Sequence, residues 1–160
     1  MKAHWETAQY QSPLGPMVLQ GLDGLLHTAR FADTRAEMPT PTVDISHACF
    51  AQAKQWLDEY FAGHNPTWRP PLQWDGTPFQ VRVWQKLLDI PYGQTWTYGQ
   101  LAIEAGNVHL ARAIGGALHR NPLLVIVPCH RVVASDGTVG GYAAGTARKQ
   151  ALLQLECCPR

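Results

Sequence analysis

The absences in this sequence come first, because each removes a class of protein. Its longest aliphatic run, Leu123-Leu124-Val125-Ile126-Val127, falls far short of the roughly 20 residues needed to cross a bilayer as a helix. Met1-Lys2-Ala3-His4-Trp5-Glu6 has no apolar stretch behind it, so neither a secretion signal nor a membrane partner is expected. The four cysteines, Cys49, Cys129, Cys157 and Cys158, lack the spacing of a disulfide framework or a CxxC metal knuckle. No metal and no cofactor are expected, and a reducing compartment, the cytoplasm or a eukaryotic nucleus, is the natural setting. Repeats and low-complexity segments are missing too. No strong field of one sign exists, since the net charge is +1.

That net charge hides a division. Residues 1–75 carry five Lys/Arg and eight Asp/Glu, whereas residues 76–160 carry eight and four. A basic second half points weakly to a polyanionic partner. The segment from His64 to Gln73 holds Pro66, Pro70 and Pro71 and reads as a linker. Two lobes, 1–75 and 76–160, follow from these features.

The first lobe reads as a support of α+β type. The turn cluster Ser12-Pro13-Leu14-Gly15-Pro16, short apolar runs at Met17–Gln20 and Leu25–Phe31, and Gly21 to Gly24 between them predict a small antiparallel meander. A helix is expected from Ile45 to Phe61, with Ala48, Ala51, Gln55, Trp56 and Tyr60 on one face. In the second lobe Thr77-Pro78 starts a helix, with Phe79, Val83, Leu87 and Leu88 along one side. Helices are expected over Tyr98 to Glu104 and Leu110 to Leu118, joined at Gly106-Asn107, which fits a helix-turn-helix. A loop of small residues from Asp136 to Gly145 suits close approach to a flat ligand, and a last helix runs from Thr146 to Glu156. The fold class is therefore α/β (α+β): a small antiparallel sheet plus helix, then a helical, winged-helix-like lobe with a helix-turn-helix.

The chemistry concentrates at Pro128-Cys129-His130-Arg131-Val132. A cysteine after an aliphatic run is as often a buried small hydrophobe as a nucleophile. The imidazole beside it, the guanidinium next to that and the glycine-rich loop soon after favour the nucleophile. If the run Leu123–Val127 is a buried extended segment, adjacent side chains point opposite ways, and His130 reaches the thiol through a water. Glu156 is a candidate to orient that imidazole, although a carboxylate at a helix end is usually just solvated. Arg112, set among Ala111, Ala113, Gly115 and Gly116, is one long cation on a helix of small residues. Such a helix can approach another surface closely; an exposed arginine on an ordinary helix is the plain alternative.

These residues resemble a known family. Gly76 to Glu156 is similar to the O6-alkylguanine-DNA alkyltransferases. The matching stretches are Thr77-Pro78-Phe79-Gln80-Val81-Arg82-Val83-Trp84, Ile90-Pro91-Tyr92-Gly93, Tyr98-Gly99-Gln100-Leu101-Ala102, Ala111-Arg112-Ala113-Ile114-Gly115, Asn121-Pro122, Ile126 to Val133, Gly141-Tyr142 and Leu152 to Glu156. The resemblance implies that Cys129 is an irreversible alkyl acceptor, activated through water by His130 with Glu156 completing the network. It implies that Tyr98 aids nucleotide flipping and hydrogen-bonds the departing guanine. Arg112, flanked by Ala113 and Gly115, would fill the vacated stack in the minor groove of double-stranded DNA. Asn121 would be a hinge, the carbonyls of Cys129 and Val132 would read the guanine amino group, and Tyr142 and the backbone of Ala143 would line the pocket. The substrate implied is O6-methylguanine or a small homologue in DNA, with O4-alkylthymine secondary, and the protein would act once, as a monomer. Three positions depart from the pattern: Ala143 replaces a serine of some members, Ala144 replaces the usual glycine and is expected to narrow the pocket, and Trp96 replaces an arginine of many bacterial members. The zinc site of some members has no ligand set here. Two other readings remain in view: a damage sensor that flips without repair, which the retained Cys129 disfavours, and a cysteine hydrolase, which would turn over repeatedly.

Overall fold

Asp23-Gly24 is a sequence that turns a chain back within two residues. Both residues have positive φ, 52° and 77°, which matches the twist of the strands they join. The result is an antiparallel three-stranded sheet of β1 (Glu6–Ser12), β2 (Gly15–Leu22) and β3 (Leu25–Phe31), in that order. The register pairs Ser12 with Gly15 and Leu22 with Leu25. The computed structural model describes residues 4–157, the side chain of Val108 excepted. Cys158 and the opening Met1-Lys2-Ala3 therefore lie outside the described residues.

The chain divides into two units. Among the described residues, the first extends to Trp74 and takes back Pro122–Ile126; the second comprises Asp75–Asn121 and residues 127–157. In the first unit α1 (Cys49–Phe61) packs on the sheet. The helix starts four residues later than expected, and its buried face is Cys49, Phe50, Ala53, Trp56, Leu57 and Tyr60. Ala48, Ala51 and Gln55 are exposed, because the large side chains contribute far more burial energy than alanines at the same spacing. The proline-rich segment is no free linker. Leu26 N–H donates to Pro71 O at 2.8 Å, and Gln73 N–H to Leu26 O at 2.9 Å. Further along, Ala29 N–H donates to Pro122 O and Leu124 N–H to Ala29 O. Both segments cover the open edge of β3, a position that tolerates proline.

In the second unit Thr77 caps α2 (Pro78–Leu87) in a capping box with Gln80. Thr97 and Gln100 repeat the device at α3 (Tyr98–Glu104). Gly106, at φ 114°, turns the chain into a short 3-10 turn, and α4 (Ala111–His119) follows. This is the expected helix-turn-helix, and Trp84 Nε1 ties it to α2 by donating to Ala117 O at 2.7 Å. A two-residue parallel ladder, β4 (Trp96–Thr97) with β5 (Val132–Val133), and α5 (Thr146–Cys157) complete the unit. Among the described residues no helix is long and apolar enough to cross a membrane.

Candidate active site

The run Leu123–Val127 is buried but is not an extended segment. Ile126 N–H donates to Leu124 O at 2.9 Å across Val125, whose φ is 72°. That is a γ-turn of the rare positive-φ form, and a β-branched residue there is strained. A second, inverse γ-turn follows at Pro128 (φ −81°, ψ 62°), closed by Cys129 N–H to Val127 O at 2.8 Å. Proline fixes φ near the value this turn needs. Cys129–Arg131 then forms one turn of 3-10 helix, so successive side chains diverge by about a third of a turn rather than alternating.

Within this unit Asn121, just past the end of α4, donates Nδ2–H to Val127 O at 3.0 Å and hydrogen-bonds the Cys129 sulfur. Burial pushes the Cys129 thiol up to about 11, against the opposing pull of Asn121 and the Lys149 charge. At neutral pH the group is therefore protonated. The resting group is a protected thiol that must lose its proton as it reacts.

α5 supplies the groups around that thiol. Lys149, Leu152 and Glu156 are its buried residues, spaced to share one face. Glu156 Oε2 accepts from His130 Nε2 at 2.6 Å, and its Oε1 accepts from Arg131 Nε at 2.8 Å and from Gly93 N–H at 3.1 Å. Burial alone would raise the Glu156 carboxyl, but the His130 hydrogen bond and the charges of His130 and Arg131 bring it down to about 2. Burial holds His130 below its ordinary value, outweighing the pull of Glu156, with Arg131 and Lys149 adding to the depression. An imidazole that donates from Nε2 to a carboxylate keeps its lone pair on Nδ1 and is available as a base. The expected orienting role of Glu156 thus has a geometric basis: it is buried at 3 % exposure, not solvated.

Lys149 is the functional candidate that sequence reading missed. It is fully buried, with Nζ donating to Val132 O at 2.5 Å and Gly141 O at 3.0 Å and lying 5.9 Å from the Tyr98 ring centre. No carboxylate among the described residues pairs with it. Burial lowers its affinity for the proton, while negative charge on Cys129 would raise it. An ammonium held on carbonyls beside a thiol favours the thiolate as it forms. In sequence it reads as one more polar residue of Ala147-Arg148-Lys149-Gln150, and only the burial distinguishes it.

A cavity of about 80 Å³ opens onto the thiol. Tyr98, Gly115, Cys129, Tyr142 and Ala143, all singled out from sequence, line it together with Gly141, and α4 adds Leu118 and His119, which were not expected. The Tyr142 hydroxyl is buried without a hydrogen-bond partner. Ala144 is not among the lining residues. Neither is Val132, whose carbonyl is taken by Lys149. Arg112 and Ala113 are exposed on α4 and do not line the cavity. His130, Glu156 and Asn121 do not line it either. Among the described residues no cluster of three or more His, Cys, Asp or Glu side chains could hold a metal. Cys49, in the first unit, is buried, and burial raises its thiol.

Gly140 fixes the tyrosine wall. It has φ 76°, and a Cβ there would sit 2.8 Å from the Tyr98 hydroxyl oxygen. Gly140→Ala is expected to cost about 1–2 kcal/mol through the left-handed backbone and to displace Tyr98. Thermal melting and the single-turnover rate of the thiol's reaction should both fall; an unchanged rate would mean that Tyr98 does not need its present position.

Comparison with known proteins places this geometry in context. Residues 78–158 match the family described as 6-O-methylguanine DNA methyltransferase, DNA binding domain, and residues 7–73 match its ribonuclease-like domain. A methylated-DNA–protein-cysteine methyltransferase of Mycobacterium leprae is 43% identical over 145 residues, covering 91% of this chain and 88% of the relative. One from Methanosarcina acetivorans is 40% identical over 150 residues, covering 93% and 96%. The crystal structure of Mycobacterium tuberculosis O6-methylguanine methyltransferase superposes with a TM-score of 0.85 at 38% identity, covering 98% of this chain and 95% of that one. The structure of M. tuberculosis OGT in complex with DNA does so at 0.82 and 40%, covering 94% and 92%.

Proposed function

The chain belongs to the 6-O-methylguanine DNA methyltransferase family, and from that premise we infer that it repairs DNA by moving an alkyl group from O6 of guanine onto its own Cys129. It is a methylated-DNA–protein-cysteine methyltransferase. One observation carries the assignment of the acceptor: the thiol and the second helix of the helix-turn-helix open onto the same cavity, through Cys129 on one side and Gly115, Leu118 and His119 on the other. A hydrolase has no use for that pairing.

O6 of a stacked guanine is inaccessible to in-line attack, so the nucleotide must leave the duplex, at a cost of a few kcal/mol. Arg112 enters the minor groove and fills the gap, offsetting part of that cost, a role that its exposure on α4 among small residues supports. Ala113 and Gly115 let the helix backbone approach. Tyr98 and Tyr142 wall the flipped base, and the free hydroxyl of Tyr142 and the backbone of Ala143 meet its O6 side. His130 takes the thiol proton through a water, and Lys149 offsets the charge that develops on sulfur. Sulfur attacks the alkyl carbon, a C–S bond forms, the C–O6 bond breaks, and Tyr98 hydrogen-bonds the guanine as it departs. The thioether left behind has no route to hydrolysis, so each molecule acts once, as a monomer. O4-alkylthymine offers the same alkyl–oxygen bond as a secondary substrate.

The test is incubation with duplex DNA carrying O6-methylguanine labelled in the methyl group. Label is expected to pass to the protein stoichiometrically; label remaining on DNA, or released as methanol, would refute the assignment.

A further inference from the structure

The roles above leave Arg131 without a task, although it is one of the most elaborately held side chains in the molecule. It is buried at 8 % exposure. Its Nε donates to Glu156 Oε1 at 2.8 Å, Nη2 to Glu156 Oε2 at 3.3 Å and Nη1 to Ile90 O at 2.7 Å, and the guanidinium carbon lies 5.7 Å from the Tyr92 ring centre. We propose that Arg131 is a positioning residue for alkyl transfer: by gripping both oxygens of Glu156 it keeps the carboxylate from drawing a proton onto the imidazole, so that His130 remains a free base. The inference rests on the reading of Cys129 as acceptor and His130 as its base.

The argument is one of charge balance. A buried carboxylate 2.6 Å from an imidazole with no other partner would favour the imidazolium, by the attraction that raises the pKa of any base beside an anion. An imidazolium cannot take the proton of a thiol. The fork of Arg131 satisfies the carboxylate instead, through two parallel N–H bonds, while the Nε2 contact of His130 with Glu156 fixes its tautomer. The groups facing the imidazole agree with this. Glu156 attracts positive charge to it, and Arg131 from the same turn and Lys149 from α5 repel it. The Cys129 thiol is its neighbour in the turn, and Tyr92 lies against Arg131. α2 also packs on this turn, but its Arg82 lies over Phe79 and its Lys86 pairs with Asp89 and Glu104. Lysine could not replace Arg131, because one ammonium cannot span both carboxylate oxygens and reach the Ile90 carbonyl.

Full-length Arg131→Met and Arg131→Lys test this through two readouts: the single-turnover transfer rate as a function of pH, and the His130 titration followed by imidazole NMR, assigned with His130→Gln. In Arg131→Met the acid limb of the rate and the His130 titration should both move to higher pH by about one unit or more. At a pH on that acid limb the rate should then fall about tenfold, while the alkaline rate approaches that of the parent. Arg131→Lys should lie between. A rate lowered by one factor at every pH, or an unmoved His130 titration, would overturn the proposal; if Arg131→Met does not fold, Arg131→Lys decides by the same criteria. The titration needs no DNA. A parent protein that transfers no alkyl group would therefore refute the acceptor reading while leaving the role of Arg131 to be judged separately.

Discussion

Cys129→Ser is expected to bind alkylated DNA and transfer nothing. The substitution keeps the volume and the Asn121 contact, so the 3-10 turn and the cavity should persist, at a cost of about 1–3 kcal/mol for a buried hydroxyl. What is lost is the nucleophile. A thiol held near 11 can still surrender its proton to a neutral His130 as sulfur attacks, with Lys149 beside it. An alcohol is several pKa units less acidic than a thiol and much less nucleophilic toward saturated carbon. Label transfer by Cys129→Ser should therefore be undetectable under conditions in which the parent reacts to completion. Transfer at even a small fraction of the parental rate would place the acceptor elsewhere.

Glu156→Gln should give the second largest effect, and it should appear in stability as well as rate. The substitution removes the charge that His130 and Arg131 both bond and takes the carboxylate partner from a buried guanidinium. Breaking one side of such a network costs about 3–5 kcal/mol, which for a chain of this size lowers the melting temperature by on the order of 10 °C. The pH dependence has a defined sign. The folded Glu156 titrates near 2 against 4.5 for the ordinary group, so its contribution is complete above the ordinary value and disappears as the pH falls toward 2. The depressed His130 acts in the same direction, its contribution fading as the pH falls below the ordinary imidazole value. The parent should thus lose stability steadily on acidification, and Glu156→Gln should lose the lower part of that slope. With the tautomer of His130 no longer fixed, transfer should slow by about a hundredfold or more. Equal acid sensitivity in the two proteins would show that the network carries little of the stability.

The legible part of the molecule was the part encoded locally. The Thr77-Pro78 helix start, the glycines from Gly21 to Gly24 and the Gly106-Asn107 turn are short-range signals, and the helix-turn-helix is legible from two helical stretches joined at that last turn. The string Pro128-Cys129-His130-Arg131 marks chemistry because a thiol and an imidazole rarely adjoin by chance at the end of an aliphatic run. What the sequence hid is set by tertiary context. Leu123–Val127 has the composition of a strand, but its backbone is bound by Ala29 at one end and bent at Val125 and Pro128. Lys149 resembles a solvated helical lysine until the folded chain brings the carbonyls of Val132 and Gly141 to it. The buried stripe of α1 is carried by Phe50, Trp56 and Leu57 while Ala51 and Gln55 at helical spacing face solvent, because packing against the sheet, not spacing alone, decides which residues turn inward. The carboxylate at the end of α5 looked solvated for the same reason: only the folded chain brings His130 and Arg131 to it.

Intact-mass spectrometry after incubation with an excess of duplex containing O6-methylguanine, followed by peptide mapping, is the most direct test of the central claim. The account predicts that every molecule gains one methyl group, on the peptide containing Cys129, and that repair stops at one lesion per protein. Unmodified protein alongside continued repair, or a methyl group mapped to Cys49 or Cys157, would contradict it.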